Sequence, residues 1–403
     1  MADRRIRALL LEQVHPDAEA ILTASGFEVE TVDRALDEGE LIARIDGFSL
    51  LGVRSKTNVT AKVMEAAPAL ISIGAFCIGT NQIDLAEASA RGITVFNAPF
   101  SNTRSVVELA IAEIISLTRR LTVKDSLMHQ GVWDKSADGA HEVRGRTLGI
   151  VGYGNIGTQL SVLAENLGMR VLFYDTADRL ALGNAVRCTT MGELLAQSDV
   201  VTLHVDGRAS NSDLFGEEEF AQMKPGALFL NLSRGFVVDY ATLRTHLLSG
   251  HIGGAAVDVF PVEPKGRGDE FVSELRGLPN VILTPHIGGS TEEAQQDIGR
   301  FVAGKFRDFA IDGATALSVN LPGVALPQNP GSHRLMIIHR NVPGALATIN
   351  GVFAEHKVNV EAQLLGTRGE IGYVVTDTAA EYTPEILDEL RALGETIRLN
   401  VLS

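Results

Sequence analysis

Residues 147–175 read TLGIVGYGNIGTQLSVLAENLGMRVLFYD. TLGIV has the length and composition of a buried strand, and it breaks into Gly152-Tyr153-Gly154-Asn155-Ile156-Gly157. An amphipathic helix opens there, and the next strand ends at Asp175, eighteen residues beyond Gly157. A GxGxxG alone says little in a chain with 40 glycines, but this one follows a strand and starts a helix. Its glycines permit a tight turn and close approach of backbone to a pyrophosphate, while the helix start supplies amide donors and partial positive charge. Asp175 would accept hydrogen bonds from the adenosine ribose and repel a 2′-phosphate, so the pattern predicts NAD rather than NADP. Gly152, Gly154, Asn155, Ile156, Gly157 and Asp175 are the cofactor candidates.

Downstream, further strands are predicted at SDVVTLHV (198–205), GALFLNLS (226–233), GGAAVDVF (253–260) and NVILTPH (280–286), with helical segments between them. Arg234, Glu263 and His286 lie at or just beyond the ends of three of these strands. In an open α/β sheet, ligands bind beyond the carboxyl ends, so the three are expected on the edge that carries the glycine turn. Their chemistry suits hydride transfer. Histidine can take or give a proton near neutrality, a carboxylate beside it favours the protonated form, and a guanidinium can hold a substrate carboxylate. Taken singly, each has an ordinary reading as a surface or packing residue.

Upstream, RALLLE (7–12), FEVETVD, FSLLGVR (48–54), LISIGAF (70–76) and ITVFNA (93–98) alternate with helical patterns, as in a parallel sheet covered on both faces. A long helix is predicted over 103–121, followed by a polar loop, HQGVWDKSADGAHEVRGR. Residues 319–333, VNLPGVALPQNPGSH, read as a linker. The remainder reads strand, helix, strand, strand, helix, strand, the ferredoxin-like βαββαβ order.

The 403 residues suggest two to three domains at about 150 residues each. With 45% hydrophobic and 21% charged residues, the chain is neither disordered nor fibrous. A net charge of -15 argues against general nucleic-acid binding. The two cysteines, Cys77 and Cys188, form no metal-ligand spacing or disulfide framework. The basic start, MADRRIRALLL, is too short in its apolar run for a secretory signal, and no stretch approaches a membrane span. A cytoplasmic protein without metal is expected.

GYGNIGTQL, NLSRGFVVD, AAVDVFPVEP and LTPHIGGST together resemble the D-isomer-specific 2-hydroxyacid dehydrogenases. FCIGTNQIDL (76–85), FNAPFSNTRSVVELAIAEII (96–115) and MIIHRNVPGAL (336–346) narrow the likeness to the bacterial type with a C-terminal ACT domain. The resemblance implies two doubly wound, Rossmann-like α/β domains and a βαββαβ ACT domain. Residues 1–101 and 289–322 would form a substrate domain, 102–288 an inserted NAD domain, 323–332 a linker with a hinge near Gly331, and 333–403 the ACT domain.

The resemblance further implies that Arg234, Glu263 and His286 are catalytic and that Asp258 contacts the cofactor. The substrate would be D-3-phosphoglycerate, oxidised to 3-phosphohydroxypyruvate. Arg54, Ser55 and Lys56 would hold its phosphate, with Asn102 and Lys135 nearby, the latter on a segment around Trp133 that crosses to a neighbouring subunit. His339, Asn341 and Asn359 would bind L-serine as effector between paired ACT domains of a homotetramer. From the residues alone, Asn341 reads equally as the cap of a helix starting near Pro343. Two departures stand out. Lys56 occupies a position where relatives carry Arg, and Asp206-Gly207-Arg208 replaces a Pro-containing loop, adding negative charge near the adenosine end. Two other readings stay open: a 2-oxoglutarate, hydroxypyruvate or glyoxylate reductase, and a NAD-sensing binding protein on the same scaffold.

Overall fold

The computed structural model describes residues 6–264 and 268–402. The basic start of the chain falls partly in residues 1–5, outside the described residues. The described residues form two compact units, one from 6–101 with 295–402 and the other from 102–264 with 268–294.

In the first unit, β1 (Arg7–Leu11), β2 (Glu28–Val32), β3 (Leu50–Val53), β4 (Ser72–Ala75) and β5 (Thr94–Asn97) form a parallel sheet in the order β2-β1-β3-β4-β5. Every residue of β3 and β4 is buried, which is why they read as unbroken apolar runs. Short helices on the connections begin at capping side chains, including Asp37, whose carboxylate forms a capping box with Glu40. The helix Glu292–Asp312 packs on this sheet, bringing Val302, Phe306 and Phe309 into one core with Leu10, Phe76 and Phe96.

In the second unit, β6 (Thr147–Val151), β7 (Arg170–Tyr174), β8 (Val186–Arg187), β9 (Val200–Leu203), β10 (Ala227–Asn231), β11 (Ile252–Val257) and β12 (Val281–Leu283) form a parallel sheet in the order β12-β11-β10-β9-β6-β7-β8. The order reverses between β6 and β9, the switch point at which such sheets bind dinucleotides. The helix Thr103–Thr118 packs Val107, Ala110 and Ile114 against Leu148 and Ile150 of β6. The helix predicted over 103–121 is shorter than expected. It ends at Thr118, Arg120 takes a left-handed φ of 53°, and a separate helix runs over Leu121–His129. That second helix buries none of its residues, so it has no apolar stripe by which periodicity could reveal it.

At the C-terminus, β13 (His333–Arg340), β14 (Val360–Arg368), β15 (Ile371–Thr378) and β16 (Thr396–Leu402) form an antiparallel sheet in the order β14-β15-β13-β16. Strand alternation divides β13 between two cores. Leu335 and Ile337 meet Ile349 and Phe353 of the helix Ala345–Glu355, while Met336 and Ile338 join the core that holds Leu10 and Phe309. The first sheet and the C-terminal module therefore share one interior.

The hinge expected near Gly331 is thus bridged by packing. The Tyr373 hydroxyl donates to the Gly313 carbonyl at 2.6 Å. The Arg334 guanidinium, 6% exposed, pairs with the fully buried Asp377 at 2.7 Å and donates to the carbonyls of Asp312, Leu326 and Pro327. No helix among the described residues is long and apolar enough to cross a membrane. Arg334→Ala should cost about 3–5 kcal/mol of stability in denaturant unfolding, because it leaves a buried carboxylate without its partner.

Candidate active site

Strand β6 delivers the chain into the glycine turn at the carboxyl edge of the second sheet. Gly152 has φ +92°, and a Cβ there would stand 2.5 Å from the His204 carbonyl oxygen. Where Gly154 would carry a side chain there is open space, which leaves the backbone bare at the start of the helix Asn155–Asn166. Asn155, Ile156 and Gly157 form its first turn. Asp175, at the end of β7, accepts the Tyr153 amide at 2.8 Å and the Ala177 amide at 2.8 Å. Its carboxylate thereby ties the glycine turn to the next strand. A cavity of about 420 Å³ opens beside it, lined by Tyr174, Asp175, Thr176, Arg187, Cys188 and Thr189. A bare turn, a free helix start, an acidic residue and an adjacent cavity fit the pyrophosphate and adenosine ribose of NAD.

The other side chains come from the ends of β10, β11 and β12. Arg234 follows β10 at the start of a short 3-10 turn, Gly235–Val237. A Cβ on Gly235 would lie 2.0 Å from the Phe260 carbonyl carbon, so only glycine lets this turn approach the segment after β11. Asn231, fully buried, donates to the Arg234 carbonyl and the Tyr240 hydroxyl, both at 2.9 Å. Tyr240 donates in turn to the Val259 carbonyl at 2.7 Å. This chain couples the backbone that carries Arg234 to the backbone leading to Glu263.

Glu263 and His286 meet directly. Nδ1 of His286 lies 2.9 Å from Oε2 and 3.1 Å from Oε1 of Glu263, and Oε1 also accepts the Phe260 amide at 3.1 Å. With the carboxylate on Nδ1, that nitrogen carries the hydrogen, and Nε2 is left to face a reactant. The hydrogen bond that His286 donates to Glu263 raises the His286 pKa above its ordinary value, against burial. Burial is the largest influence on Glu263 and opposes its ionisation, but the imidazole, the Phe260 amide and Arg234 together outweigh it and hold that pKa below the usual range. Arg234 lowers both pKa values through its charge, which places it within electrostatic reach of the pair.

His286 is held in a left-handed backbone, φ 55°. Asp258, 1% exposed, explains how: Oδ1 accepts the Thr284 hydroxyl at 2.6 Å and the Ile287 amide at 2.8 Å, and Oδ2 accepts the Gly288 amide at 2.8 Å. Asp258, which the resemblance places at the cofactor, anchors the loop that carries His286. Asn231, Tyr240 and Thr284 went unnoticed in the sequence, where such buried polar residues look like ordinary strand ends. Glu113 was missed as well. It is buried on the helix Thr103–Thr118, and neither oxygen has a hydrogen-bond partner among the described residues. Burial and the nearby charge of Asp258 raise its pKa to about 8.

In the loop at 206–208, Arg208 grips Asp206 through Nε and Nη2, at 2.8 and 2.5 Å, so the added negative charge is paired with a neighbouring cation. The loop also borders Arg234, whose Nε lies 3.2 Å from where a Gly207 Cβ would stand.

The remaining candidates are more scattered. Asn102 precedes the helix Thr103–Thr118 and has a buried Oδ1 without a hydrogen-bond partner among the described residues. Lys135 and Trp133 are exposed. In the first unit, Arg54 is half-buried beyond β3, and Ser55 and Lys56 are exposed. In the C-terminal module, His339 is 2% exposed, with Nδ1 on the Arg340 carbonyl. Asn341 does not cap a helix. The helix starts at Ala345 behind Gly344, and the Asn341 side chain donates to the Gly369 carbonyl instead. Asn341 sits at the Ile371 end of β15 and Asn359 at the Thr378 end, seven residue steps or roughly 23 Å apart. One chain does not bring them together.

The NAD binding domain of D-isomer specific 2-hydroxyacid dehydrogenases matches residues 111–288, and an AHAS small subunit-like ACT domain matches residues 335–398. The chain is 50% identical over 399 residues to D-3-phosphoglycerate dehydrogenase of Haemophilus influenzae, covering 99% of this chain and 97% of that one. It is 49% identical over 401 residues to the enzyme of that name from Escherichia coli K12, covering 99% and 98%. Among solved structures, D-lactate dehydrogenase of Aquifex aeolicus, complexed with NAD and lactic acid, matches with a TM-score of 0.67 and 26% identity, over 75% of this chain and 95% of that one. D-2-hydroxyisocaproate dehydrogenase matches with a TM-score of 0.69 and 25% identity, over 78% and 100%. The chain is an NAD-dependent dehydrogenase with an ACT domain and belongs to the D-isomer specific 2-hydroxyacid dehydrogenase family, within its D-3-phosphoglycerate dehydrogenase branch.

Proposed function

We propose that this chain oxidises D-3-phosphoglycerate to 3-phosphohydroxypyruvate, the entry step to L-serine, and runs the reverse reduction at the same site. The observation that carries the chemistry is the His286–Glu263 pair, 2.9 Å apart on the edge that bears the glycine turn. Full-length relatives of that name support the substrate. Bound NAD supplies the acceptor for the hydride that leaves C2. Nε2 of His286 takes the C2 hydroxyl proton as the C–O bond becomes a carbonyl, and returns it in the reduction. Glu263 fixes the ring and stabilises its protonated form. Arg234 holds the substrate carboxylate and carbonyl oxygen. Arg54, Ser55 and Lys56 hold the phosphate, with Asn102 and Lys135 as further substrate contacts. Asp258 is a cofactor-binding residue that also anchors the loop of His286.

L-serine is the proposed effector. Asn341 and Asn359 lie at opposite ends of one module's sheet, so a site using both needs two copies, Asn341 from one and Asn359 from the other. This supports pairing of two ACT domains, with His339 on the Asn341 side of the serine site. The assembly we propose is a homotetramer in the cytoplasm.

The test follows NADH absorbance with 3-phosphohydroxypyruvate, with and without millimolar L-serine. Turnover suppressed by serine is expected. Turnover blind to serine removes the effector assignment, and NADH binding without turnover removes the substrate assignment. His286→Ala should lose about 10²–10⁴-fold in kcat. Glu263→Gln should shift the alkaline limb of the reduction to lower pH, because the reaction needs protonated His286 and the carboxylate is what raises its pKa. An unshifted pH profile would remove Glu263 from that role.

A further inference from the structure

β1 and β3 are parallel neighbours in register at Leu10 and Gly52, so Glu12 and Arg54 leave the same edge of the first sheet side by side. The Glu12 amide still pairs with the Val32 carbonyl, but Glu12 and Gln13 then take left-handed φ values of 65° and 54°. Such a conformation is uncommon for a residue with a side chain, and two in succession call for something that holds them.

What holds Glu12 is the loop after β3. Its carboxylate, on a residue only 8% exposed, accepts the Thr57 amide at 2.8 Å and the Arg54 amide at 3.2 Å on Oε1, and the Lys56 amide at 3.0 Å on Oε2. The Glu12 carbonyl also lies 3.4 Å from Nη1 of Arg54. From the other side, the Arg54 carbonyl accepts Nε2 of Gln82. The Arg54 peptide is pinned at both its nitrogen and its oxygen.

We propose that Glu12 is the positioning residue of the anion loop: its buried carboxylate gathers the amides of Arg54, Lys56 and Thr57, fixing the loop so that the Arg54 and Lys56 side chains and Ser55 meet the substrate phosphate. This rests on the reading of Arg54–Lys56 as the phosphate loop. A carboxylate is an unfavourable neighbour for a dianion, and burying one is costly without strong donors. Three amides neutralise it and in the same act are withdrawn from the phosphate. Of the run 54–57, the Ser55 amide is the one Glu12 does not take, so recognition falls to side chains and that single amide. It also explains how a loop with Lys in place of Arg at 56 can retain phosphate selectivity, since its remaining donors are preorganised.

The experiment compares kcat/KM for 3-phosphohydroxypyruvate and for hydroxypyruvate, which differ only in the phosphate, on the full-length enzyme. Arg54→Ala should reduce the ratio of the two by about 10–100-fold, the worth of a charged hydrogen bond. Glu12→Gln keeps the side-chain shape but turns an NH₂ toward the loop amides. It should reduce the ratio by about tenfold, as expected for a misplaced binding group, with the change in KM for the phosphorylated substrate rather than in kcat. A loss of general integrity would instead lower both substrates together and leave the ratio intact, which overturns the proposal. Glu12→Asp, which retracts the carboxylate by one methylene, carries the same expectation should the amide fail to fold. If Arg54→Ala collapses the ratio and neither Glu12 variant does, Glu12 has no positioning role and the phosphate loop stands. If Arg54→Ala leaves the ratio unchanged, the phosphate loop itself is misassigned and the proposal falls with it.

Discussion

Parallel pairing is the constraint from which the site in the second unit follows. Every strand of that sheet runs the same way, so every strand-to-helix loop emerges at one edge. Gly152, Asp175, Arg234, Glu263 and His286 all sit on such loops, although residues from 152 to 286 separate the first from the last. The sheet brings them to one edge, and buried polar contacts do the finer work. Asp175 fastens the glycine turn to the next strand, Asn231 and Tyr240 link the Arg234 turn to the segment after β11, and Asp258 fixes the loop of His286. Each of these is a side chain satisfying backbone groups that the sheet leaves unpaired at its edge. The precision needed for catalysis is thus built from the same hydrogen bonds that finish the fold.

The electrostatics follow from this arrangement. The ordinary pKa of His286 lies near neutrality, and its partner moves that value in the direction a proton donor requires. Arg234 acts against this shift through its charge. The same cation lowers the pKa of Glu263, so the carboxylate remains charged beside the ring. Glu113 stands apart. Buried within reach of Asp258 and without a hydrogen-bond partner among the described residues, it stays largely protonated at neutral pH and so adds no second negative charge behind the Asp258 anchor.

Much of this was legible in the sequence because it has local signatures. Strands buried on both faces read as apolar runs, and the glycine turn has fixed spacing between a strand and a helix. Arg234, Glu263 and His286 could be picked out because they lie at or just beyond the ends of predicted strands. What remained hidden depends on partners distant in the chain. Asn231 and Tyr240, and the hold of Asp258 on the His286 loop, declare themselves only when the partner loops are in place. Asp206 looked like an added negative charge until its bidentate contact with Arg208 appeared. The helix Leu121–His129 escaped notice because it buries nothing. The docking of the C-terminal module was concealed by strand alternation itself: β13 is apolar on both faces, which reveals that two layers cover it but not which.

That docking bears on how the polypeptide matures during synthesis. The core of the first sheet is completed by Phe306 and Phe309 of the returning helix and by Met336 and Tyr373 of the final module. None of these residues exists until the whole of 102–294 has been translated. The nucleotide-binding unit is continuous and can fold as it leaves the ribosome, whereas the segment made first must wait with its apolar strands unfinished. Non-local closure of this kind is slow, so the amino-terminal segment is the part of the nascent chain most in need of protection from aggregation.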